Sequence, residues 1–372
     1  MVNEQLKQID RTIVDVSTRV DFYSLITPAN REEERKKFFA VLGEGGGYDP
    51  VFVYRKRDPS DLIKPLQNAL LVLDREEPLQ SLLARKLDFT LTQLELLEAG
   101  DGNFGDVAAR LHGLPDQDSV KEASEILSGS RDQDYVFPEE TVTSDQMVDI
   151  LRKELDEKGI QWEVVLSGKI VPKITVSGKE RKIYVNSHID YTEAEVERLK
   201  VHEINVHVFR GANGSLQPLR LFADGLAGYN ETEEGLAILA EDISGCLEED
   251  TRQMKLYAGR AVCADLCARH SFCEAYTRLA EYFPDYLAYR LVERAKRGMR
   301  DTSKKGGITK GFHYISGWRK TRKYAEKGGD MEVLYAGKIG LDDTDLVKSL
   351  IEKGVITAPK HLPDFLARLQ KR

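Results

Sequence analysis

The chain has 372 residues, with 54 Lys and Arg against 62 Asp and Glu, a formal net charge of -8, a 41% apolar fraction and four cysteines. This moderately acidic balance gives no support to nucleic-acid binding, and no apolar run approaches membrane-spanning length, so neither nucleic acid nor membrane is expected as a partner. The N-terminus Met1-Val2-Asn3-Glu4-Gln5 opens no signal peptide, and so few cysteines suit reduced thiols, which makes the cytoplasm the expected compartment.

Leu6, Ile9, Ile13, Val16 and Val20 recur at helical spacing with Lys7, Asp10, Arg11 and Asp15 opposite them, predicting an amphipathic first helix. Pro28 interrupts it, and Asn30 can cap a second helix from Arg31. The run Gly43-Glu44-Gly45-Gly46-Gly47-Tyr48 has the glycines of a phosphate loop without its Lys-Ser/Thr pair, and reads as a connection. Pro50 to Arg55 then reads as a short strand. Leu66 to Leu73, Leu79 to Thr90 and Thr92 to Glu98 have helical composition, and Gly100 to Gly102 breaks the pattern. The polar stretch from Ser128 to Pro138 reads as a hinge. It would divide a mostly helical N-terminal region, residues 1–135, from a catalytic region, residues 136–372, unless the two form one continuous domain.

Trp162 to Leu166, Lys169 to Val176 and Arg181 to Val185 read as three short strands, turned by Gly168 and by Ser177-Gly178. Pro172 makes the middle one an edge strand or a bulged one, and a peptide could add along such an edge. Thr192, with Glu193 and Glu195 behind it, is a helix start. From Thr232 onward the pattern is mostly helical, apart from a glycine-rich stretch between Gly298 and Gly317. Cys263, Cys267, His270 and Cys273 fall loosely along one helical face. They could hold a second metal, but soft core packing among Ala258, Ala261, Ala264 and Leu266 is the plainer reading.

The chemistry concentrates in His202-Glu203-Ile204-Asn205-Val206-His207 and in the run Glu233-Glu234-Gly235-Leu236-Ala237. A catalytic zinc needs three protein ligands, an open position for water and a base to take the water's proton. The two histidines stand five residues apart, one more than in the common zinc-helix motif. On an ideal helix their rings would diverge by about 140°, against about 40° for the shorter spacing. A one-residue π-bulge would bring them to one metal. Glu234 is the third-ligand candidate, in the first turn of a helix capped by Thr232, with Glu233 and Glu231 as competitors. Gly235 inside that helix implies a backbone packed close by, and the histidine helix is the expected neighbour. Glu241 and Asp242 could orient a ligand histidine. The fold class expected is α+β: a mostly helical zinc-peptidase fold with a small β-sheet ahead of the metal-binding helix.

Blocks along most of the chain resemble the QEGLA-motif zinc metallopeptidase family, which includes flavohemoglobin expression-modulating QEGLA motif proteins and the microtubule-associated tyrosine carboxypeptidase. They are Pro28 to Glu34, Pro50 to Tyr54, His202 to His207, Asn213 to Pro218, Thr232 to Ala237, Arg297-Gly298, Asp301 to Ser303, Thr309-Lys310, Tyr314 to Gly317, Gly337 to Ile339 and Leu362-Pro363. The departures are Glu233 where many relatives have Gln, Lys305 in place of a common Pro, and Gly311 in place of an acid.

The resemblance implies one Zn2+ held by His202, His207 and Glu234, with Glu203 as general base and then acid. It implies a carboxypeptidase that acts on peptide or protein C-termini with a preference for aromatic residues. Arg297, Thr302, Ser303 and Lys310 belong to a basic, hydroxyl-rich loop suited to a terminal carboxylate, though a solvated basic loop would look the same. Tyr314 or His313 could stabilise the oxyanion, and Asn213 and Gln217 could line the cleft. An endopeptidase or dedicated processing enzyme would keep the same zinc chemistry. A non-catalytic regulatory binding protein would have no evident use for Glu203.

Overall fold

The structure, a computed structural model, describes every residue except 1, 21, 56–57, 130–138, 171, 250 and 370–372. Nearly all of the expected hinge from Ser128 to Pro138 therefore lies outside the described residues. Helices dominate, and the described residues form three strands, which gives the α+β class expected.

The first helix, Glu4–Arg19, begins at Asn3, whose Oδ1 accepts from the Leu6 amide at 2.9 Å. Leu6, Ile9, Ile13 and Val16 are buried along one stripe. Asp10 is buried with them. Its carboxylate accepts from the backbone amides of Arg220 at 2.7 Å and Leu221 at 2.9 Å, satisfying donors at the start of the short helix Leu221–Asp224. Burial raises the Asp10 carboxyl above its ordinary range despite those two bonds.

Asn30 precedes helix Arg31–Gly43 but makes no capping bond with its side chain. It instead donates to the Val51 carbonyl and accepts from the Val53 amide, both at 2.9 Å. The segment Pro50–Arg55 is thus held by a side chain, and its regular pairing is one bridge, Val51 to Asp301, not a strand. Glu34 accepts from the Tyr48 hydroxyl at 2.6 Å and the Val51 amide at 2.8 Å, which ties down the end of the glycine-rich connection.

Strands β1 (Glu163–Ser167), β2 (Ile174–Ser177) and β3 (Lys182–Asn186) form a sheet in the order β1-β3-β2. β1 runs parallel to β3 with Val164 opposite Ile183, and β2 runs antiparallel with Thr175 opposite Tyr184. β2 is an edge strand, as expected, but it begins at Ile174, so Pro172 lies before it and not within it. Val164, Ile174, Ile183 and Val185 turn inward to a core that extends from Leu6 to Leu366. A smaller core gathers Ile26, Leu96, Val107, Met299 and Ile308 around Phe104. Among the described residues no helix is long and apolar enough to cross a membrane.

Helix Thr251–Arg269 carries Cys263 and Cys267, both buried, with their sulfurs 3.8 Å apart. His270 faces Glu274 instead, at 3.6 Å. Among the described residues the cysteines belong to no group with metal-holding geometry. Near them the buried Lys296 ammonium donates to the carbonyls of Cys267, His270 and Lys304, at 3.3, 2.7 and 2.6 Å. Those bonds pin the glycine-rich loop to the end of this helix.

Candidate metal centre

Thr192 and Glu195 form a reciprocal capping box, each side chain bonded to the other's amide at 3.1 Å. Helix Glu193–Leu199 runs without a break into a π-helical segment, Lys200–Val208, and then into helix Phe209–Gly214. The distortion thus spans nine residues where a single bulge was expected. Its wider turn brings residues five apart onto one side, and the rings of His202 and His207 meet edge to face with centroids 4.8 Å apart. Ile204, Val206 and Val208 are fully buried and fix the back of the segment in the core.

The acidic helix, Tyr229–Ile243, starts earlier than expected. Its N-cap is Gly228, at φ 74°, a conformation open to glycine. Thr232 lies inside the helix, where its hydroxyl accepts from the Leu341 amide at 2.9 Å. Glu234 projects toward the histidines. Ligand atoms of His202, His207 and Glu234 all lie within 4.8 Å of one another, with His202 Nε2 and Glu234 Oε2 3.9 Å apart. The neighbour that demands Gly235 is not the histidine helix. It is Gly317 of helix His313–Glu326, whose carbonyl group a Cβ on Gly235 would overlap.

Both histidines are oriented by buried carboxylates. His202 Nδ1 lies 2.7 Å from Glu241, which also accepts from Arg198 at 3.1 Å and from the Tyr257 hydroxyl at 3.0 Å. His207 Nδ1 lies 2.8 Å from Glu233, which also pairs with Arg210 and, at 3.1 Å, with Lys338. With each Nδ1 engaged, both Nε2 atoms remain as ligand atoms. Glu231, the other competitor, pairs with Lys320 at 2.8 Å and with Ser316.

Burial pulls the His202 imidazole down, and the carboxylates of Glu241, Glu203 and Glu234 push it above its ordinary value. Burial would raise Glu233 and Glu234. Arg210, Lys338 and His207 hold Glu233 far below the usual carboxylate range, and Lys310, His207, His202 and Arg260 lower Glu234. Glu203 is 8% exposed and accepts no hydrogen bond from any described residue.

The structure separates the remaining candidates. Tyr314 is buried, stacks on Tyr257 at 5.1 Å, and lies 3.5 Å from Arg294 through its hydroxyl. His313 donates through Nε2 to the His112 carbonyl at 2.8 Å, leaving Nδ1 buried without a hydrogen-bond partner among the described residues. Lys310 acts electrostatically on Glu234. The other predicted contacts are engaged within the protein. Asn213 accepts from the amides of Lys360 and His361, both at 2.9 Å, and Gln217 donates to Ala336 and Thr357, at 2.8 and 3.0 Å. Thr302 donates to the Pro50 carbonyl at 2.6 Å and Ser303 to Asp301 at 2.5 Å. Arg297 ends helix Asp285–Lys296, next to Tyr54.

Sequence reasoning missed Arg198, Arg210, Tyr257, Arg260 and Lys338. Two carried a local signal: Arg198 precedes His202 by one helical turn, and Arg210 follows His207 by a similar interval.

The family model described as microtubule-associated tyrosine carboxypeptidase matches residues 36–372. The mouse protein named Microtubule-associated tyrosine carboxypeptidase 1 is 24% identical over 357 residues, 93% of this chain and 65% of its own length. The human protein of that name is 28% identical over 244 residues, covering 62% of this chain and 50% of its own. The human Putative tyrosine carboxypeptidase MATCAP2 is 31% identical over 180 residues, covering 46% and 32%. The chain therefore spans just under two thirds of the mouse relative and half or less of the human ones.

Proposed function

Because the chain belongs to the microtubule-associated tyrosine carboxypeptidase family, we propose that it is a zinc-dependent carboxypeptidase releasing single C-terminal residues, aromatic ones preferred, from peptides or proteins in the cytoplasm. One observation carries this reading: His202, His207 and Glu234 converge while Glu241 and Glu233 hold the far nitrogens of both imidazoles. Two imidazoles and one carboxylate are a donor set that suits a catalytic zinc with its fourth position open. When bound there, zinc would polarise the scissile carbonyl and make water acidic enough to attack near neutral pH.

The chain's own groups do the rest. Glu203 takes the proton of the attacking water and returns it to the leaving amine, and its carboxylate accepts no hydrogen bond from a described residue. Of the two oxyanion candidates, the hydrogen-bond pattern favours Tyr314. Nε2 of His313 must carry its proton to donate to His112, so Nδ1 of the neutral ring accepts and cannot donate. Burial holds His313 below its ordinary value, which keeps that ring neutral.

The test is metal content and C-terminal release from a peptide panel, with wild type and Glu203→Gln side by side. One zinc per chain in both proteins, with hydrolysis in wild type alone, is the expected result. Full turnover by Glu203→Gln, or no zinc in wild type, would sink the reading.

A further inference from the structure

Arg260 lies on helix Thr251–Arg269, one turn after Tyr257. Its guanidinium sits over two aromatic rings, 4.6 Å from the centroid of Tyr314 and 5.7 Å from that of Tyr257. Those rings stack on each other at 5.1 Å with only 14° between their planes. The Tyr257 hydroxyl donates to Glu241, which holds His202. Arg260 is thereby fixed, through two rings and one carboxylate, to the same framework that orients a candidate ligand.

The loop carrying Lys310 packs onto this helix at that point. A Cβ on Gly311 would come within 2.6 Å of the Arg260 carbonyl, so the chain there touches backbone to backbone. Arg260 and Lys310 both project their charge onto Glu234. Arg260 is half-buried, and none of its N–H groups meets a hydrogen-bond acceptor among the described residues. A guanidinium seated over aromatic faces, with its donors unused among the described residues, presents a fork that fits both oxygens of a carboxylate.

We propose that Arg260, with Lys310 beside it, binds the terminal carboxylate of the residue to be released and so makes the site select a free C-terminus. The Arg297-Thr302-Ser303 part of the basic loop is not needed for this, because the hydroxyls of Thr302 and Ser303 are engaged elsewhere. The proposal rests on the carboxypeptidase reading and names its specificity group.

The experiment compares binding of one peptide ending in free tyrosine with the same peptide ending in tyrosinamide, by fluorescence anisotropy on zinc-loaded full-length Glu203→Gln protein. Binding is then measured with Arg260→Gln or Arg260→Lys added, after thermal unfolding confirms that each variant is folded. We expect the free acid to bind about 100-fold more tightly than the amide in the parent, as loss of a charge-assisted paired contact implies. Arg260→Gln should reduce that ratio to within about 3-fold, mainly through the acid, and Arg260→Lys should restore part of it. A parent that discriminates, with a ratio unchanged in Arg260→Gln, would overturn the proposal and leave the carboxypeptidase reading standing. Equal weakening of acid and amide would mean that Arg260 only supports the fold, which also overturns it. A parent that binds acid and amide alike would overturn both together.

Discussion

Gly235 and Gly317 meet backbone to backbone where the acidic helix crosses helix His313–Glu326, and neither position has room for a Cβ. One crossing seats two candidate functions, because Glu234 lies next to the first glycine and Tyr314 one turn before the second. A methyl group on either should push the helices apart. Overpacking of a rigid interior commonly destabilises by about 1–3 kcal/mol, and backbone on both sides puts Gly235→Ala at or above the upper end. Urea unfolding of Gly235→Ala and Gly317→Ala checks this, and a loss under about 0.5 kcal/mol would contradict it.

Glu241 touches no substrate in this reading and acts by holding His202. Replacing an outer partner of a ligand histidine typically weakens metal binding about 10- to 100-fold. Glu241→Gln should fall in that range in a chelator competition assay while keeping most of the fold.

Glu233→Ala should behave differently. It frees the His207 ring, and it also strands the buried charges of Arg210 and Lys338. Removing one partner of a buried ion pair typically costs about 3–5 kcal/mol. A fall in stability well beyond that of Glu241→Gln is expected in denaturant titration.

The cysteines should prove irrelevant to metal. Cys263→Ala with Cys267→Ala should leave the zinc stoichiometry unchanged while lowering stability modestly, because two small buried side chains are trimmed. Metal analysis beside a melting curve separates the outcomes, and loss of a second equivalent of metal would favour the second-metal reading instead.

Glu195 supplies a pH-dependent prediction away from the metal centre. Burial raises its carboxyl, but Lys173, at 2.9 Å, and the Thr192 amide hold it below the ordinary 4.5. A lowered native value means that the unfolded chain binds the proton more readily, so stability rises with pH through this window. The advantage of wild type over Glu195→Gln should be complete above pH 4.5 and shrink as the pH falls below it. Thermal unfolding of the pair between pH 3 and 7, roughly the window in which carboxyls titrate, checks it.

What the sequence made legible was whatever depends on neighbours along the chain. Five-residue spacing of two histidines demanded a distorted helix, and Glu241 fell two turns after Glu234 on the same helix. The misreadings came from partners far away in sequence. Gly235 needed its small side because of Gly317, not the nearby histidine helix. Asn213 and Gln217 sit close behind the histidines but spend their hydrogen bonds on residue 336 and on residues 357–361. Val51 to Tyr54 has strand-like alternation, yet Asn30 takes the backbone groups that a neighbouring strand would have used. Glu233 and Glu234 are adjacent, and only the tertiary position of Arg210 and Lys338 settles which one points away from the histidines' open side.

The Asp10 contact with Arg220 and Leu221 has a practical consequence for where this protein can be cut. The family pattern begins at residue 36, yet the first helix supplies, from outside that span, two hydrogen bonds to the chain just beyond the histidine segment. A fragment trimmed to the family boundary would retain every proposed zinc ligand while exposing the amides of residues 220 and 221 and the apolar seat of Leu6, Ile9 and Ile13. Expression fragments should therefore keep the first helix and not begin at residue 36.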